Sequence, residues 1–258
     1  MSELEVKTMA EFMAEEKEAD ILFWVGSAGS FDDRAKKITR AFVQIMNRAG
    51  VNFGVLGSEE SSSGDAAKRA GNEFLFQMQA MMNIEVMNAY NVKRIVTTCP
   101  HSYNTLKNEY KGLGGNYKVQ HHTEFIDELL KKGKLKIIGN LEGKKITYHD
   151  PCYLGRANNV YDIPRELIKS LGVELVEMKR NKRLSFCCGA GGAQMFKDPE
   201  NGTQDININR TEESLSLKPD IIATGCPFCN TMMTDGVKSV NEGSAEVLDI
   251  AELIADNL

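Results

Sequence analysis

The chain lacks several features that would assign it to common functional classes. None of its apolar runs approaches the roughly 20 residues that a helix needs to cross a bilayer. It has no long basic run interleaved with aromatic residues, and its net charge is only −5, so nothing indicates nucleic-acid binding. Its first twenty residues carry seven acidic and two basic side chains, the reverse of a secretory or organellar leader. We therefore expect a cytoplasmic protein without a transmembrane segment, which leaves peripheral association with a membrane complex open.

The distribution of its six cysteines is the most informative feature of the sequence. Because the cytoplasm keeps thiols reduced, six cysteines there do not indicate three disulfides. Five of them fall between positions 152 and 229, and Cys187 and Cys188 are adjacent, with Gly189 following. Adjacent cysteines pair poorly in disulfides and suit ligation of a polynuclear metal cluster better. The cysteines therefore predict a metal centre in the second half of the chain.

The two halves of the chain form an internal repeat. Three segments of the first half correspond in order to three of the second: 25–27, 62–64 and 98–102 against 150–152, 187–189 and 225–229. Ser27 and Ser62 are 35 positions apart, and so are Cys152 and Cys187. Ser27 and Cys152, the first marked positions of the two halves, are separated by 125 residues. The chain therefore reads as a duplication in which the cysteines of one half are largely replaced by serine.

Alternating strand and helix signals accompany the repeat. Predicted strands lie at 21–25, 53–56, 94–97 and the start of 118–130, and at 145–149, 173–178, 220–223 and the start of 245–257. Ser30 is predicted to cap a helix that ends at Gly50, because Asp33 follows three residues later. Such alternation favours parallel sheets with helices on their faces. We predict an α/β protein of two Rossmann-like modules related by a pseudo-twofold axis.

The repeat also predicts how the chain is divided. Residues 1–20 form an N-terminal extension, 21–135 the first module and 145–258 the second. The cysteines of the second module all follow predicted strands, whose carboxyl ends meet at the sheet edge where α/β proteins bind ligands. Pro227 suits the first turn of a helix starting near Asn230, and a helix N-terminus favours thiolates. We therefore expect these cysteines to meet.

Two kinds of metal centre are compatible with these residues. Iron–sulfur clusters are held by cysteine thiolates. Zinc normally takes four ligands, so five thiols leave one over, and iron–sulfur is favoured. Cys226 and Cys229 taken alone also suit a zinc half-site or a redox pair.

Taken together, these motifs resemble a known family. The pattern Cys-x34-Cys-Cys-Gly-x36-Cys-x2-Cys, with the segments 149–156 and 186–192, is similar to that of the CCG (cysteine-rich) domain family. That family includes the B component of heterodisulfide reductase and the iron–sulfur subunits of glycolate and lactate oxidation systems. The resemblance covers nearly the whole chain and implies two CCG modules, the complete one holding a noncubane [4Fe–4S] cluster. The ligands that it implies, which we call the five-cysteine site, are Cys152, Cys187, Cys188, Cys226 and Cys229.

The first module departs from the family pattern. The chain has Ser27, Ser62 and Ser102 where the pattern has cysteine, and Cys99 alone remains. One thiolate cannot hold a cluster. Serine is nearly isosteric with cysteine, so the loops can persist without metal. We therefore expect an empty first site and one [4Fe–4S] cluster per chain.

The resemblance implies a redox function. The chain has neither a ferredoxin-type Cys-x2-Cys-x2-Cys-x3-Cys run nor a dinucleotide motif, so electrons must come from another subunit. We predict an oxidoreductase subunit that transfers electrons between a flavoprotein or ferredoxin-like partner and a disulfide, quinone or other acceptor. The alternative is a non-catalytic scaffold subunit with a structural zinc or iron–sulfur site.

Four histidines are candidates for supporting roles. His149, three residues before Cys152, is a candidate proton or hydrogen-bond donor to the centre, and capping of the strand end is the structural alternative. His101, His121 and His122 are candidate metal ligands beside the first site. For the adjacent pair, His121 and His122, the structural alternative is that one ring faces the core, and this is more common than metal binding.

Overall fold

Two parallel β-sheets form the framework of the protein. The computed structural model describes residues 4–198 and 201–258. The strands of the first sheet are β1 (Lys7–Thr8), β2 (Ile21–Trp24), β3 (Phe53–Val55), β4 (Arg94–Thr97) and β5 (Lys118–His121). Those of the second are β6 (Lys145–Tyr148), β7 (Glu174–Val176), β8 (Ile221–Thr224) and β9 (Glu246–Asp249). The strand orders are β1-β3-β2-β4-β5 and β7-β6-β8-β9, and every neighbouring pair is parallel.

Helices connect the strands and cover both faces of the sheets. Those of the first half are α1 (Met9–Ala14), α2 (Gly26–Phe31), α3 (Asp33–Arg48), α4 (Asp65–Arg69), α5 (Glu73–Ala89), α6 (Pro100–Asn104) and α7 (His122–Lys131). Those of the second half are α8 (Cys152–Gly155), α9 (Asp162–Lys169), α10 (Ile206–Leu215), α11 (Pro227–Asn241) and α12 (Ile250–Ala255). After α6 the chain continues through a π-helical turn, Thr105–Glu109, and a 3-10 turn, Tyr110–Leu113.

The repeat predicted from the sequence is present in the fold. The order β3-β2-β4-β5 in the first sheet matches β7-β6-β8-β9 in the second, so the predicted pair of α/β modules is confirmed. The first sheet has β1 in addition, contributed by the N-terminal segment. Met9 and Phe12 of α1 are buried against this edge. Gly54 permits the approach, because a Cβ on it would lie 2.7 Å from the Met9 sulfur.

The two modules share one apolar core. Side chains of α3, α7, α9 and α12 merge in it, among them Phe42, Phe125, Ile168 and Ile254. Its burial from water is the main force that holds the halves together. This packing fixes the carboxyl edges of the two sheets relative to each other.

Two predicted helix starts differ from the structure. Ser30 does not cap the long helix of the first module, because it lies inside the short helix α2. The cap of α3 is Asp32, whose carboxylate accepts a hydrogen bond from the Ala35 amide at 2.7 Å. Aspartate satisfies the unpaired amides of a first turn as well as serine does, so spacing alone did not distinguish the two. Similarly, α11 begins at Pro227 rather than near Asn230, with the proline in its first turn.

Candidate metal centre

The five-cysteine site lies at the carboxyl end of the second sheet. Cys152 begins α8 after β6, Cys226 precedes α11 after β8, and Cys229 lies in the first turn of α11. Cys187 and Cys188 lie in the long loop between β7 and α10. All six cysteines of the chain fall within the described residues and are free thiols. The strand order β7-β6-β8 thus brings three cysteine-bearing loops to one point.

The five thiols contact one another in an unbroken sequence. Cys152 contacts Cys187, which contacts Cys188, which in turn contacts Cys229. Cys229 also contacts Cys226. Cys188, Cys226 and Cys229 are buried, and the other two cysteines are partly buried. The arrangement is a compact, mostly dry group of sulfur atoms with one more exposed side.

Hydrogen bonds among the thiols divide them into two classes of acidity. The hydrogen bonds that Cys187 makes with Cys152 and Cys188 lower the pKa of Cys187 to about 2. The thiols that donate to a neighbouring sulfur, Cys152, Cys188 and Cys229, have a raised pKa. Like charges at this separation repel, so the protein alone does not stabilise five thiolates together.

Cys226 is acidic because of contacts with Cys229 and with a residue of the other module. Burial by itself would raise its pKa, but contacts with Cys229 and His101 lower it to about 5. The His101 ring lies on the first module, beside Cys99 as well as Cys226. A side chain of the first module therefore contributes directly to the electrostatics of the five-cysteine site.

The site fits a cationic group with several ligand positions. Five sulfur atoms exceed the four ligands of a structural zinc site and match the requirement of an iron–sulfur cluster for thiolates. Bound iron would compensate the repulsion among the thiolates. The Gly189 amide, at a φ of +92°, donates to the Cys187 sulfur at 3.3 Å. A side chain at Gly189 would be strained by this φ and would place its Cβ 3.3 Å from that of Ile206.

His149 is held in one protonation state by a buried arginine. Arg210 is fully buried and donates its Nε–H to His149 Nδ1 at 3.0 Å. Because Nδ1 accepts, the proton of the neutral ring lies on Nε2. Burial and the charge of Arg210 lower the pKa of His149 to about 3. A ring nitrogen of His149 and the sulfurs of Cys188 and Cys229 lie within 4.8 Å of one another.

Arg210 is a residue that the sequence did not single out. Its guanidinium also donates to the Arg180 carbonyl and to Glu213, both at 2.8 Å. A buried charge with this many partners is fixed in place. Its partner His149 is 61 positions away, and no periodic pattern marks such a pair.

The equivalent loops of the first module are tied together without thiols. The Glu60 carboxylate accepts hydrogen bonds from the amides of Val25, at 2.9 Å, and Gly26, at 2.5 Å. Burial raises the pKa of Glu60 to about 7, although these two bonds oppose the shift. Asn83 donates to the Ser62 carbonyl at 2.8 Å. The serine-bearing loops thus keep their conformation through hydrogen bonds.

His121 and His122 lie between the modules and are both fully buried. His122 Nε2 is 2.9 Å from a carboxylate oxygen of Asp249, and His121 Nδ1 is 2.8 Å from the Thr123 hydroxyl. Their partners are a carboxylate and a hydroxyl of the surrounding core. The contact of His122 with Asp249 joins the first half of the chain to the second.

A comparison with family models gives the same picture. A model described as the cysteine-rich domain, CCG, matches residues 21–107 and again residues 146–234. This chain belongs to the CCG family. The resemblance predicted from the cysteine spacing is therefore confirmed, and one match lies in each half of the fold.

Three curated relatives of this chain are named as oxidoreductases or as part of a reductase. It is 48% identical over 256 residues to the Bacillus subtilis FadF, named as a probable iron–sulfur-binding oxidoreductase, and this match covers 98% of the chain and 36% of the relative. It is 46% identical over 262 residues to the EtfAB:quinone oxidoreductase of Syntrophomonas wolfei, covering 98% and 37%. It is 31% identical over 250 residues to the D component of the dihydromethanophenazine:CoB–CoM heterodisulfide reductase of Methanosarcina barkeri. This match covers 94% of the chain and 60% of the relative. The chain thus spans between about a third and three fifths of these relatives.

None of the helices in the described residues is both long enough and apolar enough to cross a membrane.

Proposed function

We propose that the five-cysteine site holds one [4Fe–4S] cluster of the noncubane type in an iron–sulfur redox subunit. The subunit passes electrons between a flavoprotein or ferredoxin-like partner and a disulfide, quinone or other acceptor. The observation that carries this proposal is the convergence of five thiols, from three loops, at one partly buried point. When bound, such a cluster supplies one-electron redox chemistry, with a potential that depends on charge, hydrogen bonds and exposure.

The names of the relatives support the proposed partners. One name couples EtfAB to a quinone and another contains a heterodisulfide, so both acceptor classes occur among proteins similar to this chain. The chain spans only part of those proteins. We therefore propose that the other redox groups belong to further segments or subunits. The proposed cytoplasmic location rests on the cysteine usage of the sequence.

We propose that the first module binds no cluster. Its corresponding positions carry hydroxyls at Ser27, Ser62 and Ser102, and Cys99 is the one thiol there. Glu60 ties the loops in place of a metal. The proposed stoichiometry is one cluster per chain, with the modules bounded at 21–135 and 145–258.

Metal analysis of the anaerobically purified protein tests this function. We expect about four irons and about four acid-labile sulfides per chain, with a paramagnetic signal on reduction or oxidation. A cubane and a noncubane cluster are expected to give different paramagnetic signals, so electron paramagnetic resonance also tests the cluster type. Stoichiometric zinc without sulfide would contradict the proposal and support a structural scaffold.

We propose that His149 donates a hydrogen bond to the cluster rather than a proton. The Arg210 contact leaves the ring neutral with its proton on Nε2. Hydrogen bonds to cluster sulfur stabilise the more negative, reduced state. His149→Leu should therefore lower the reduction potential by roughly 40 mV, because one hydrogen bond contributes about 1 kcal/mol and 59 mV corresponds to about 1.4 kcal/mol.

The matched variant is His149→Gln, whose amide can both accept from Arg210 and donate to the cluster. A redox titration followed by electron paramagnetic resonance should find its potential close to that of the parent protein. Equal shifts in the two variants would show that His149 acts only through packing.

A further inference from the structure

The first module contains a cavity at the position of the lost cysteines. Its volume is about 370 Å³, within the range of small-molecule sites. Ser27, Ser62 and Ser102, the three serines that replace cysteine in the family pattern, all line it. The substitutions thus leave an open space with hydroxyl groups on its wall.

Two buried nitrogen atoms beside this cavity have no hydrogen-bond partner among the residues that the structure describes. One is His101 Nε2, on a ring that lines the cavity and whose other nitrogen, Nδ1, lies 3.9 Å from the Cys99 sulfur. The other is Trp24 Nε1. A Cβ placed on Gly26 would lie 3.9 Å from this atom and 3.7 Å from the Ser102 hydroxyl. Buried polar groups normally have partners, so a ligand with polar atoms of its own would satisfy His101 Nε2, the one of the two whose residue lines the cavity.

Aromatic side chains form the rim of the cavity. Phe31 of α2 is 83% exposed and Phe196, in the loop that follows the adjacent cysteines, is 72% exposed. Phe228, between Cys226 and Cys229, forms a third part of the wall. Large apolar groups are costly to leave in water, and rings favour stacked or edge contacts with other rings. The rim therefore suits a flat apolar ligand.

The charges at the cavity exclude one large class of ligands. In the described part of the chain no lysine or arginine lines it, whereas Asp32 and Asp65 do. Asp65 contacts Arg69, and Asp32 caps α3. His101 also lines the cavity, and its Nδ1 faces the Cys99 sulfur at 3.9 Å, so a positive charge on the ring is paired within the protein. A charged ligand of either sign would find no free counter-charge on this wall, and an uncharged ligand fits it best.

We propose that this cavity binds an uncharged planar ring bearing carbonyl oxygens, of the quinone type, one side chain away from the five-cysteine site. The ring lies between the rim phenylalanines, and its carbonyl oxygens accept hydrogen bonds from His101 and the serine hydroxyls. Its identity as an electron acceptor rests on the proposed function, but its binding does not.

The single tryptophan of the sequence provides the measurement. Trp24 and Ser102 of the cavity wall both approach Gly26, so the indole lies close to the cavity. The compound 2,3-dimethyl-1,4-naphthoquinone, which has no free position for thiol addition, should therefore quench its fluorescence saturably in the anaerobically purified protein. The anionic anthraquinone-2-sulfonate should bind at least tenfold more weakly, because no lysine or arginine lines the wall to pair with the sulfonate. Equal affinity for the two probes, or quenching that does not saturate, would overturn the proposal.

Two exposed phenylalanines give matched variants. Phe31→Ala removes a ring at the rim, and Phe74→Ala removes one that is 76% exposed on α5 and does not line the cavity. We expect about tenfold weaker binding for Phe31→Ala and no change for Phe74→Ala. Equal effects would indicate adsorption to the surface and contradict the proposal. Iron and sulfide are measured on the same samples, so loss of the proposed cluster is distinguished from loss of quinone binding.

Discussion

The Cys188→Ser variant is expected to lose nearly all bound iron and acid-labile sulfide, whereas Cys99→Ser keeps the content of the parent protein. Cys188 occupies the middle of the thiol sequence, in contact with both Cys187 and Cys229. A hydroxyl is a poor ligand for the iron of such clusters. We expect at least a tenfold decrease in iron per chain, measured after anaerobic purification or reconstitution.

Cys99 is a close control for this experiment. It is 4% exposed and Cys188 is 3% exposed, so the same substitution removes an equally buried sulfur from each module. Circular dichroism and partner binding should be retained in both variants if the centre is a redox site. If Cys188→Ser loses its fold along with its metal, the scaffold function gains support. If Cys99→Ser also loses its iron, the assignment of the ligands is wrong.

The fold could be predicted because its signals are local and repeated. A strand, a turn and a helix recur at nearly equal spacing in both halves, so the alternation determines the α/β class and the parallel order. The edge strand Lys7–Thr8 was not predicted, because two residues show no alternation. Only the contact of this segment with Val55 and its neighbours makes it a strand.

The convergence of the cysteines could be predicted for the same reason. Loops that follow parallel strands meet at one edge, so residue spacing was sufficient to bring Cys152 close to Cys226. The environment of those thiols was not predictable. His101 reaches Cys226 from the other module, and Arg210 reaches His149 over 61 positions. Such contacts depend on how helices pack across the sheets. A single sequence carries no periodic pattern from which this packing can be predicted.

The serine substitutions illustrate a second limit. From the sequence, Ser27, Ser62 and Ser102 indicated only that a metal centre was lost. Whether the loops then collapse depends on side chains elsewhere, here Glu60 and Asn83, which bind the loop backbone. Both lie outside the repeated motifs. An open cavity in place of a filled core is therefore a finding of the structure.

The variant Arg165→Met is expected to lower the free energy of unfolding by about 3–5 kcal/mol. Arg165 is buried and donates to both carboxylate oxygens of Asp150 at 2.8 Å, and to Glu177 at 2.6 and 3.0 Å. Methionine fills similar space but leaves the buried Asp150 carboxylate without its cationic partner. Denaturant unfolding under anaerobic conditions, with iron content recorded, measures the loss.

The matched control is Lys131→Met, which breaks an exposed ion pair with Asp127 and should have little effect on stability. The Arg165 pair has a further consequence, because Asp150 lies two residues before Cys152. Its main-chain carbonyl accepts from the Ser185 hydroxyl at 3.2 Å, which joins the strand end to the loop that carries Cys187. Arg165→Met should therefore also weaken iron retention, whereas Lys131→Met should not. If the two variants unfold at the same denaturant concentration, the buried pair does not stabilise the loops of the five-cysteine site.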